Sequence, residues 1–325
     1  MRILTDVKEP RISVEWRKRT DFLPEILGGE GFLSDIIAAL RLLLLRKKYD
    51  VIVLRGSRKG SLFAMLSALW PGKRVPILMI DCLWYKPQNW LLLWLKRFEL
   101  QLIALAVVQF VVWASHEVRD YAAAFSVPEK IFLYIPFHHT LEGYSYEVTN
   151  GDYIFSGGDG DRDYPTLLEA VRGLDVQVVI ATRRKDWNGT VSIPSSVEAF
   201  PVNMEDFKKW MAGSRMVVIP MEKGHLHSGG QQIYLNAMAM GKPVVVAEDK
   251  GAKDYIQNRV DGLIVPSGDV ETLRIPIKSV LEDSRFADRL GNNAKKAYDT
   301  FSTPKCLGKI LQTAEEIVLQ NSSKR

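Results

Sequence analysis

The chain has 325 residues, 47% of them hydrophobic and 25% charged, with a formal net charge of +5. This length allows two domains of ordinary size, and the composition is that of a globular protein. Two distant cysteines, Cys82 and Cys306, form no redox or metal spacing, which argues against a disulfide framework and favours a cytoplasmic location. No signal peptide is predicted at the N-terminus.

The positive charge lies in the first half of the chain. Residues 1–136 contain 20 Lys and Arg against 13 Asp and Glu, a net charge of +7, whereas residues 137–325 have 23 against 25. Nucleic acid is one partner that such a half could bind, but no recognition motif accompanies the charge. Aliphatic residues lie among the basic ones, which favours an anionic membrane surface and predicts no nucleic-acid partner.

Strand and helix patterns alternate along the first half. A glycine turn at 27–31 leads into a strong helix pattern over 32–48, whereas the polar segment 8–19 has no clear assignment. Apolar runs over 49–54 and 75–80 have strand length, and the second run ends at Asp81. This alternation predicts a parallel sheet with helices on both faces.

Residues 90–103 form the most apolar helix candidate of the chain. Lys96, Arg97 and Glu99 interrupt it too early for a membrane span. It could be a core helix packed against the sheet. It could also be a surface helix that inserts Trp90, Leu91 and Trp94 into a bilayer interface while Lys96 and Arg97 meet lipid headgroups.

The first half ends with a predicted helix over 115–125, capped by Ser115, and a strand over 130–135. We therefore assign 1–136 to an N-terminal domain and 137–151 to a linker. His138 and His139 could ligate a metal, as could His225 with His227, but no carboxylate or cysteine at ligand spacing completes either pair. We predict no metal site and no cofactor.

A second strand-and-helix series starts at residue 152, with a glycine-rich first turn. Gly157 and Gly158 precede Arg162 and a helix pattern over 166–171. A guanidinium at this place could clamp a diphosphate, or it could be a surface arginine paired with Asp161 or Asp163.

A second glycine-rich turn, at 227–231, leads into a helix that Gly241 ends and then a buried strand. Ser228 is the expected N-cap, while Gly229 and Gly230 would let a ligand approach the backbone. The first turn of such a helix binds anions, although a plain structural turn would have the same composition. We assign 152–300 to a C-terminal domain and 301–325 to a helix that packs back on the first domain.

An ordered set of motifs makes the second half similar to one family. The set resembles glycosyltransferases of the GT-B fold that have a C-terminal "glycosyl transferases group 1" domain. It includes Ser156-Gly157-Gly158 with Arg162, Ile219-Pro220, Leu235-Asn236-Ala237-Met238-Ala239-Met240-Gly241-Lys242-Pro243 and Asp261-Gly262-Leu263-Ile264-Val265-Pro266. In the first half the match is looser and includes Gly28-Gly29.

This resemblance implies an α/β protein with two Rossmann-like domains facing a central cleft, the first (1–136) binding the acceptor and the second holding a nucleotide sugar. Arg162 stands where the family has a phosphate-binding basic residue. The residues implied in binding the diphosphate and the donor sugar are Gly157, Gly158, Ser228, Gly229, Gly230, Gln231 and Gln232.

The chain departs from the family at three positions, one of which is a missing arginine, with Gly158 or Asp159 in its place. Ser228 and Asn236 replace two glutamates, of which the first contacts the donor sugar and the second the ribose; Asn236 could still accept one hydrogen bond. This departure leaves open an alternative: a non-catalytic GT-B-like subunit that binds a partner or nucleotide without turnover.

The predicted activity is that of a hexosyltransferase-type glycosyltransferase, retaining and metal-independent. It would move a sugar, from a UDP-sugar by preference, to a hydroxyl of a glycan, a lipid-linked saccharide or another acceptor in polysaccharide biosynthesis. Arg162 would stabilise the departing diphosphate. Asp81, at the carboxyl end of a strand, is the candidate base for an acceptor hydroxyl, although it could be a structural turn residue and retention would need no protein base. An acceptor on a lipid carrier would place the enzyme at the inner face of the cell membrane.

Overall fold

The computed structural model describes residues 1–7, 13–23, 31–72, 74–186, 192–248 and 250–322, with the side chain of Tyr298 excepted. The glycine pair at 28–29 and part of the 8–19 segment lie outside these residues. Two compact units divide the chain: Met1–Ile135 with Thr303–Arg325, and Pro136–Ser302.

The first unit is built on a parallel sheet. Within the described residues its six strands run in the order β2-β1-β3-β4-β5-β6. The strands are β1 (Ile3–Thr5), β2 (Thr20–Phe22), β3 (Val51–Arg55), β4 (Ile77–Ile80), β5 (Val107–Val112) and β6 (Phe132–Tyr134). The helices are α1 (Val14–Arg19), α2 (Phe32–Leu45), α3 (Arg58–Leu69), α4 (Trp90–Ala104), α5 (Glu117–Phe125) and α11 (Thr303–Ser322).

The second unit repeats this plan. Its sheet is also parallel, with six strands in the order β12-β11-β10-β7-β8-β9 among the residues described. These strands are β7 (Tyr153–Gly157), β8 (Gln177–Ala181), β9 (Val197–Phe200), β10 (Met216–Pro220), β11 (Val244–Ala247) and β12 (Leu263–Val265). The helices are α6 (Tyr164–Val171), α7 (Met204–Gly213), α8 (Gln231–Ala239), α9 (Val270–Glu282) and α10 (Ser284–Ala297).

The central strands are apolar on both faces, as a parallel sheet covered by helices requires. Val51–Leu54 and Met216–Ile219 are fully buried. The α/β architecture with parallel sheets that the alternating pattern predicts is therefore confirmed.

Two predicted helix starts are wrong by a few residues. Helix α5 has His116, not Ser115, at its N-cap, because the buried Glu117 carboxylate accepts hydrogen bonds from Trp113 N and Ala114 N just before the helix. Helix α8 has Gly230, not Ser228, at its N-cap, because Gly230 adopts φ +82° and turns the chain into the helix.

The segment predicted as a linker, 137–151, belongs to the second unit and contacts the rest of it closely. Phe137 N donates to the hydroxyl of Tyr255, and the Thr140 carbonyl accepts from Lys208 Nζ at 2.9 Å. The Lys208 ammonium also lies 3.1 Å from the centroid of the Tyr144 ring. At the other end of this unit the chain passes into α11, which packs on α1 and β3 of the first unit.

Candidate functional site

Two loops of the second unit meet at the carboxyl edge of its sheet. Strands β7 and β10 are parallel neighbours, so the loops that follow them leave the sheet on the same side. Arg162 and Met221 form an antiparallel bridge between these loops, and Glu222 N donates to Asp161 O. The structure thus joins the two glycine-rich turns that the sequence separates by about 70 residues.

The Arg162 guanidinium is buried between these turns. Its Nε donates to Gly157 O at 3.0 Å and its Nη1 donates to Gly160 O at 2.6 Å. A Cβ added at Gly158 would lie 3.0 Å from Nη2, and one at Gly230 would lie 3.8 Å from the same atom. Gly158 therefore makes room for the guanidinium, while Gly230 lies at ordinary contact distance from it.

Burial lowers the pKa of Arg162 from its ordinary value, but an arginine stays protonated at neutral pH. The side chain is only 5% exposed. Its bonds to its own loop distinguish it from a surface arginine paired with Asp161 or Asp163. A fixed positive charge consequently lies beside a glycine turn.

The second turn leads directly into α8. Gly229 and Gly230 are half-buried, whereas eight of the nine residues of α8 are buried, Gln232 being the exception. The first amides of a helix have no partner inside the helix, so those of Gln231 and Gln232 point out of its N-terminal end. This end and Arg162 thus place helix amides and a guanidinium side by side, the combination of charge that favours an anion.

Asn236 is bonded within the protein. Its Oδ1 accepts from Thr140 N at 2.7 Å and its Nδ2 donates to Thr140 Oγ1 at 3.2 Å, while Gln232 Nε2 donates to that same hydroxyl at 3.1 Å. Asn236 is 2% exposed. In this structure its amide anchors the segment around Thr140, a contact that no local pattern indicates, because Thr140 lies 96 residues away.

Ser228 lies against a carboxylate that sequence reasoning missed. A Cβ added at Gly251 would collide with the Ser228 hydroxyl and would lie 3.1 Å from Glu248 Oε1. Glu248 is buried and accepts a hydrogen bond from Ala252 N. Glu248, which follows β11, thus lies close to Ser228, the position at which the family resemblance predicts a glutamate.

Asp81 lies in the first unit, directly after β4, as predicted. One carboxylate oxygen is 3.2 Å from Arg55 Nε, and the other accepts from the indole nitrogen of Trp113 at 3.0 Å. Asp81 adopts φ +54°, a backbone conformation that is rare outside glycine. Its carboxylate is therefore held in one orientation at the carboxyl end of the sheet.

Helix α4, also in the first unit, exposes its apolar face. Asn89 caps it by accepting from Leu91 N and Leu92 N. Most of its large apolar side chains are about half exposed or more: Trp90 76%, Leu91 47%, Leu92 55%, Trp94 58%, Leu95 47% and Phe98 58%. No helix within the described ranges is long and apolar enough to cross a membrane.

The two bases of α4 have partners on the protein. Lys96 Nζ lies 2.9 Å from Glu99 Oε2, and Arg97 Nε donates to Ala124 O on α5 at 2.9 Å. At 100° per residue, Trp90, Trp94 and Phe98 share one face of α4, and Arg97 lies at the edge of that face beside Trp90, whereas Lys96 lies on another side. The structure therefore places Arg97, but not Lys96, beside the exposed tryptophans, with the Arg97 Nε bonded to Ala124 O.

Comparison with known proteins agrees with this architecture. Residues 193–297 match the family model "Glycosyl transferases group 1". An uncharacterized glycosyltransferase of Methanocaldococcus jannaschii is 32% identical over 102 residues, and the D-inositol 3-phosphate glycosyltransferase of a Nocardioides species is 29% identical over 102 residues. Each match covers 31% of this chain but only 25% and 21% of the two relatives.

Among solved structures, the Anabaena protein HepE in complex with UDP-glucose has a TM-score of 0.74 at 14% identity, covering 97% of this chain and 100% of that one. The resemblance to the family is confirmed: the chain has the two-domain α/β GT-B fold, with a group 1 domain in its C-terminal half.

Proposed function

We propose that this chain is a glycosyltransferase that moves a hexose from a nucleoside-diphosphate sugar, a UDP-sugar by preference, to an acceptor hydroxyl. The observation that carries the proposal is the buried Arg162 guanidinium between the two glycine turns, next to the start of α8. The group 1 domain match and the UDP-glucose bound to the similar HepE structure support the choice of donor.

The charges fit the chemistry of this transfer. The bond between the sugar's anomeric carbon and the phosphate oxygen breaks with its electron pair going to the diphosphate, and a new bond forms to the acceptor oxygen. Arg162 and the first amides of α8 would stabilise the charge that develops on the leaving group. In the retaining course that we propose, the acceptor proton passes to the departing phosphate oxygen, and no metal takes part.

We propose that Gln231, Ser228 and the glycine backbone bind the donor sugar and the ribose. Gln232 and Asn236 would support the turn through their bonds to Thr140. Asn236 can contribute to ribose binding only by exchanging its bond to Thr140. In an inverting course, Asp81 would receive the acceptor proton; Arg55 and Trp113 orient its carboxylate.

We propose further that the acceptor is lipid-linked and that the first unit binds the cytoplasmic face of an anionic membrane. The exposed tryptophans of α4 support this, since aromatic side chains favour the bilayer interface. The net charge of +7 over residues 1–136 supplies the attraction to anionic lipid. Because Lys96 and Arg97 have protein partners, other bases of this unit would meet the headgroups.

Thermal unfolding with UDP, GDP, ADP, CMP and dTDP tests donor binding. A ligand at 100 times its dissociation constant stabilises the folded state by about 2.7 kcal/mol, so one nucleotide should raise the melting temperature of the parent clearly. Arg162→Ala should lose this shift. Arg274→Ala is the matched control. Arg274 lies on helix α9 and also donates to two backbone carbonyls, those of Arg172 and Glu169.

Release of the nucleotide from its sugar by the purified chain then tests catalysis. Turnover that Arg162→Ala lacks and Arg274→Ala keeps supports the proposal. A nucleotide shift without turnover on any donor and acceptor tried would favour the non-catalytic subunit. No shift with any nucleotide would contradict the diphosphate site.

A further inference from the structure

A cluster of carboxylates and imidazoles lies beside Arg162. His225 Nε2 is 3.4 Å from Glu222 Oε2 and 3.7 Å from Asp161 Oδ1. One ligand atom from each of these three residues lies within 4.8 Å of the others. In the part of the chain that the structure describes, this is the single group of three such side chains. Sequence reasoning missed Glu222, although it lies only three residues before His225, and Asp161, which lies 64 residues before it.

The spacing of these atoms fits a small divalent cation. Zinc binds imidazole nitrogen and carboxylate oxygen at about 2.1 Å, so two ligand atoms on a tetrahedron around it lie about 3.4 Å apart. The two distances from His225 Nε2 are 3.4 and 3.7 Å. One imidazole and two carboxylates would leave the fourth position for water or another oxygen ligand.

Further side chains orient the two carboxylates. His227 Nε2 lies 2.9 Å from Asp161 Oδ2, the oxygen that does not face His225. Arg184 Nη2 lies 3.2 Å from Glu222 Oε1, again the oxygen on the other side. Hydrogen bonds of this kind from outside the ligand shell fix the ligands of metal sites.

The cluster connects the two loops of the candidate donor site. Asp161 precedes Arg162 in the loop after β7, while Glu222 and His225 follow β10 and lead to Ser228. We propose that Asp161, Glu222 and His225 bind one zinc-class divalent cation that ties these loops together. The cation fixes the two loops to each other and does not contact the donor diphosphate. The proposal therefore does not depend on sugar transfer.

Zinc binding is measured on the full-length, untagged protein after chelation and dialysis. The parent should take up one Zn²⁺ per chain by isothermal titration and by elemental analysis, without any nucleotide. Co²⁺ in its place should give the intense visible d–d absorption of a tetrahedral site. The melting temperature should rise with Zn²⁺, because binding to the folded state alone stabilises it.

Variants identify the ligands. Glu222→Gln and His225→Gln should abolish stoichiometric uptake, and His227→Gln should weaken it by about 10- to 100-fold. Asp186→Asn is the matched control for Glu222→Gln, because Asp186 is the other carboxylate paired with Arg184, at 2.6 Å, and is not in the cluster. It should bind one Zn²⁺ as the parent does. Circular dichroism checks that each variant is folded.

Two results would overturn the proposal. One is a folded parent that takes up no stoichiometric Zn²⁺, which would make the cluster a network of ion pairs. The other is an equal loss of binding in Asp186→Asn and Glu222→Gln, which would show that Arg184 pairing and not metal ligation is being measured. Neither result bears on Arg162 or on nucleotide binding.

Discussion

Helices α4 and α8 reverse the usual distribution of side chains in opposite ways. Helix α8 buries polar residues: Gln231 is 8% exposed and Asn236 is 2% exposed. Helix α4 exposes apolar ones, including Trp90 at 76% and Phe98 at 58%. Buried polar groups and exposed apolar patches are the informative deviations from the hydrophobic rule.

The difference shows two ways in which a helix can serve a ligand. The polar groups of α8 hold the segment at Thr140 and place the glycine turn, so that the start of the helix lies beside Arg162. The apolar side chains of α4 form an exposed face, while its Lys96 pairs with Glu99 and its Arg97 donates to the Ala124 carbonyl. We interpret α8 as part of a small-molecule site and α4 as a docking surface.

The largest effect is expected where α8 meets Arg162. Arg162→Ala should reduce kcat by about 10²- to 10³-fold, the usual loss when one group that stabilises transition-state charge is removed. Steady-state release of nucleotide measures it. Arg162→Lys keeps the charge but not the planar donor set, so it should fall between the parent and Arg162→Ala. A kcat for Arg162→Ala within a factor of two of the parent would contradict the role of the guanidinium.

The next effect concerns the exposed face of α4. Trp90→Ser with Trp94→Ser should weaken binding to phosphatidylglycerol vesicles by about 10- to 100-fold, since each indole contributes on the order of 1 kcal/mol at the interface. Flotation on a density gradient measures bound protein. Leu44→Ser is the control, because Leu44 is 77% exposed but lies on α2. Equal recovery of parent and double variant in the floating fraction would rule out docking through α4.

A smaller effect tests the glycine turn before α8. Gly230 has φ +82° and a Cβ there would lie 2.9 Å from Ile219 Cγ2, whereas Gly224 has φ +85° and open space around it. Gly230→Ala should therefore lower the free energy of unfolding by about 2 kcal/mol, and Gly224→Ala by about 1 kcal/mol. Denaturant titration measures both.

Nucleotide affinity separates the two glycine variants further. It should fall in Gly230→Ala and stay unchanged in Gly224→Ala. Equal affinity in the two variants would argue that the turn before α8 is only structural.

The smallest effect lies just after α8, where Lys242 is fully buried. Its Nζ donates to Thr149 O and, at 2.6 Å, to Ser214 O, but burial lowers the pKa of Lys242 from its ordinary 10.5 to about 8. Between these values the unfolded chain holds more protons, so stability should rise as the pH increases from about 8 to 10.

Comparison with Lys242→Met isolates this contribution, which we expect to be about 1 kcal/mol because the carbonyl bonds favour the charged form. The unfolding free energy of the parent minus that of Lys242→Met should therefore increase as the pH rises from about 8 to 10. Lys295→Met, at an exposed position, is the control. If the parent instead loses stability relative to Lys242→Met over this range, the folded state favours the charged ammonium.

Much of the second unit could be predicted from its sequence, because local signals are strong there. Apolar runs of strand length predict most of its strands, β9 excepted, and glycines before helix patterns predict both turns of the candidate site. The meeting of Arg162 with Gly229 and Gly230 also requires β7 and β10 to be neighbours, because loops after neighbouring parallel strands share one edge of the sheet; the alternation of strands and helices does not determine that order.

The remaining features depend on contacts between distant parts of the chain. The partner of Asn236 is Thr140, and Asp161 reaches His225 from a different loop, 64 residues away; no local pattern records such pairs. The periodicity of α4 gave an apolar face but not whether the fold would cover it. The predicted N-cap of α8 is wrong because Ser228 packs beside Gly251 and Glu248, and the helix begins after Gly230 instead.

The central claim is that Arg162 and the start of α8 bind a diphosphate. Isothermal titration of the parent with UDP and with uridine tests it most directly, because the two ligands differ only in the diphosphate. We expect UDP to bind at least about 100-fold more tightly, the affinity ratio that about 2.7 kcal/mol from two or more charge-assisted hydrogen bonds gives. The ratio should fall towards one in Arg162→Ala. Equal affinity of UDP and uridine for the parent would contradict the account.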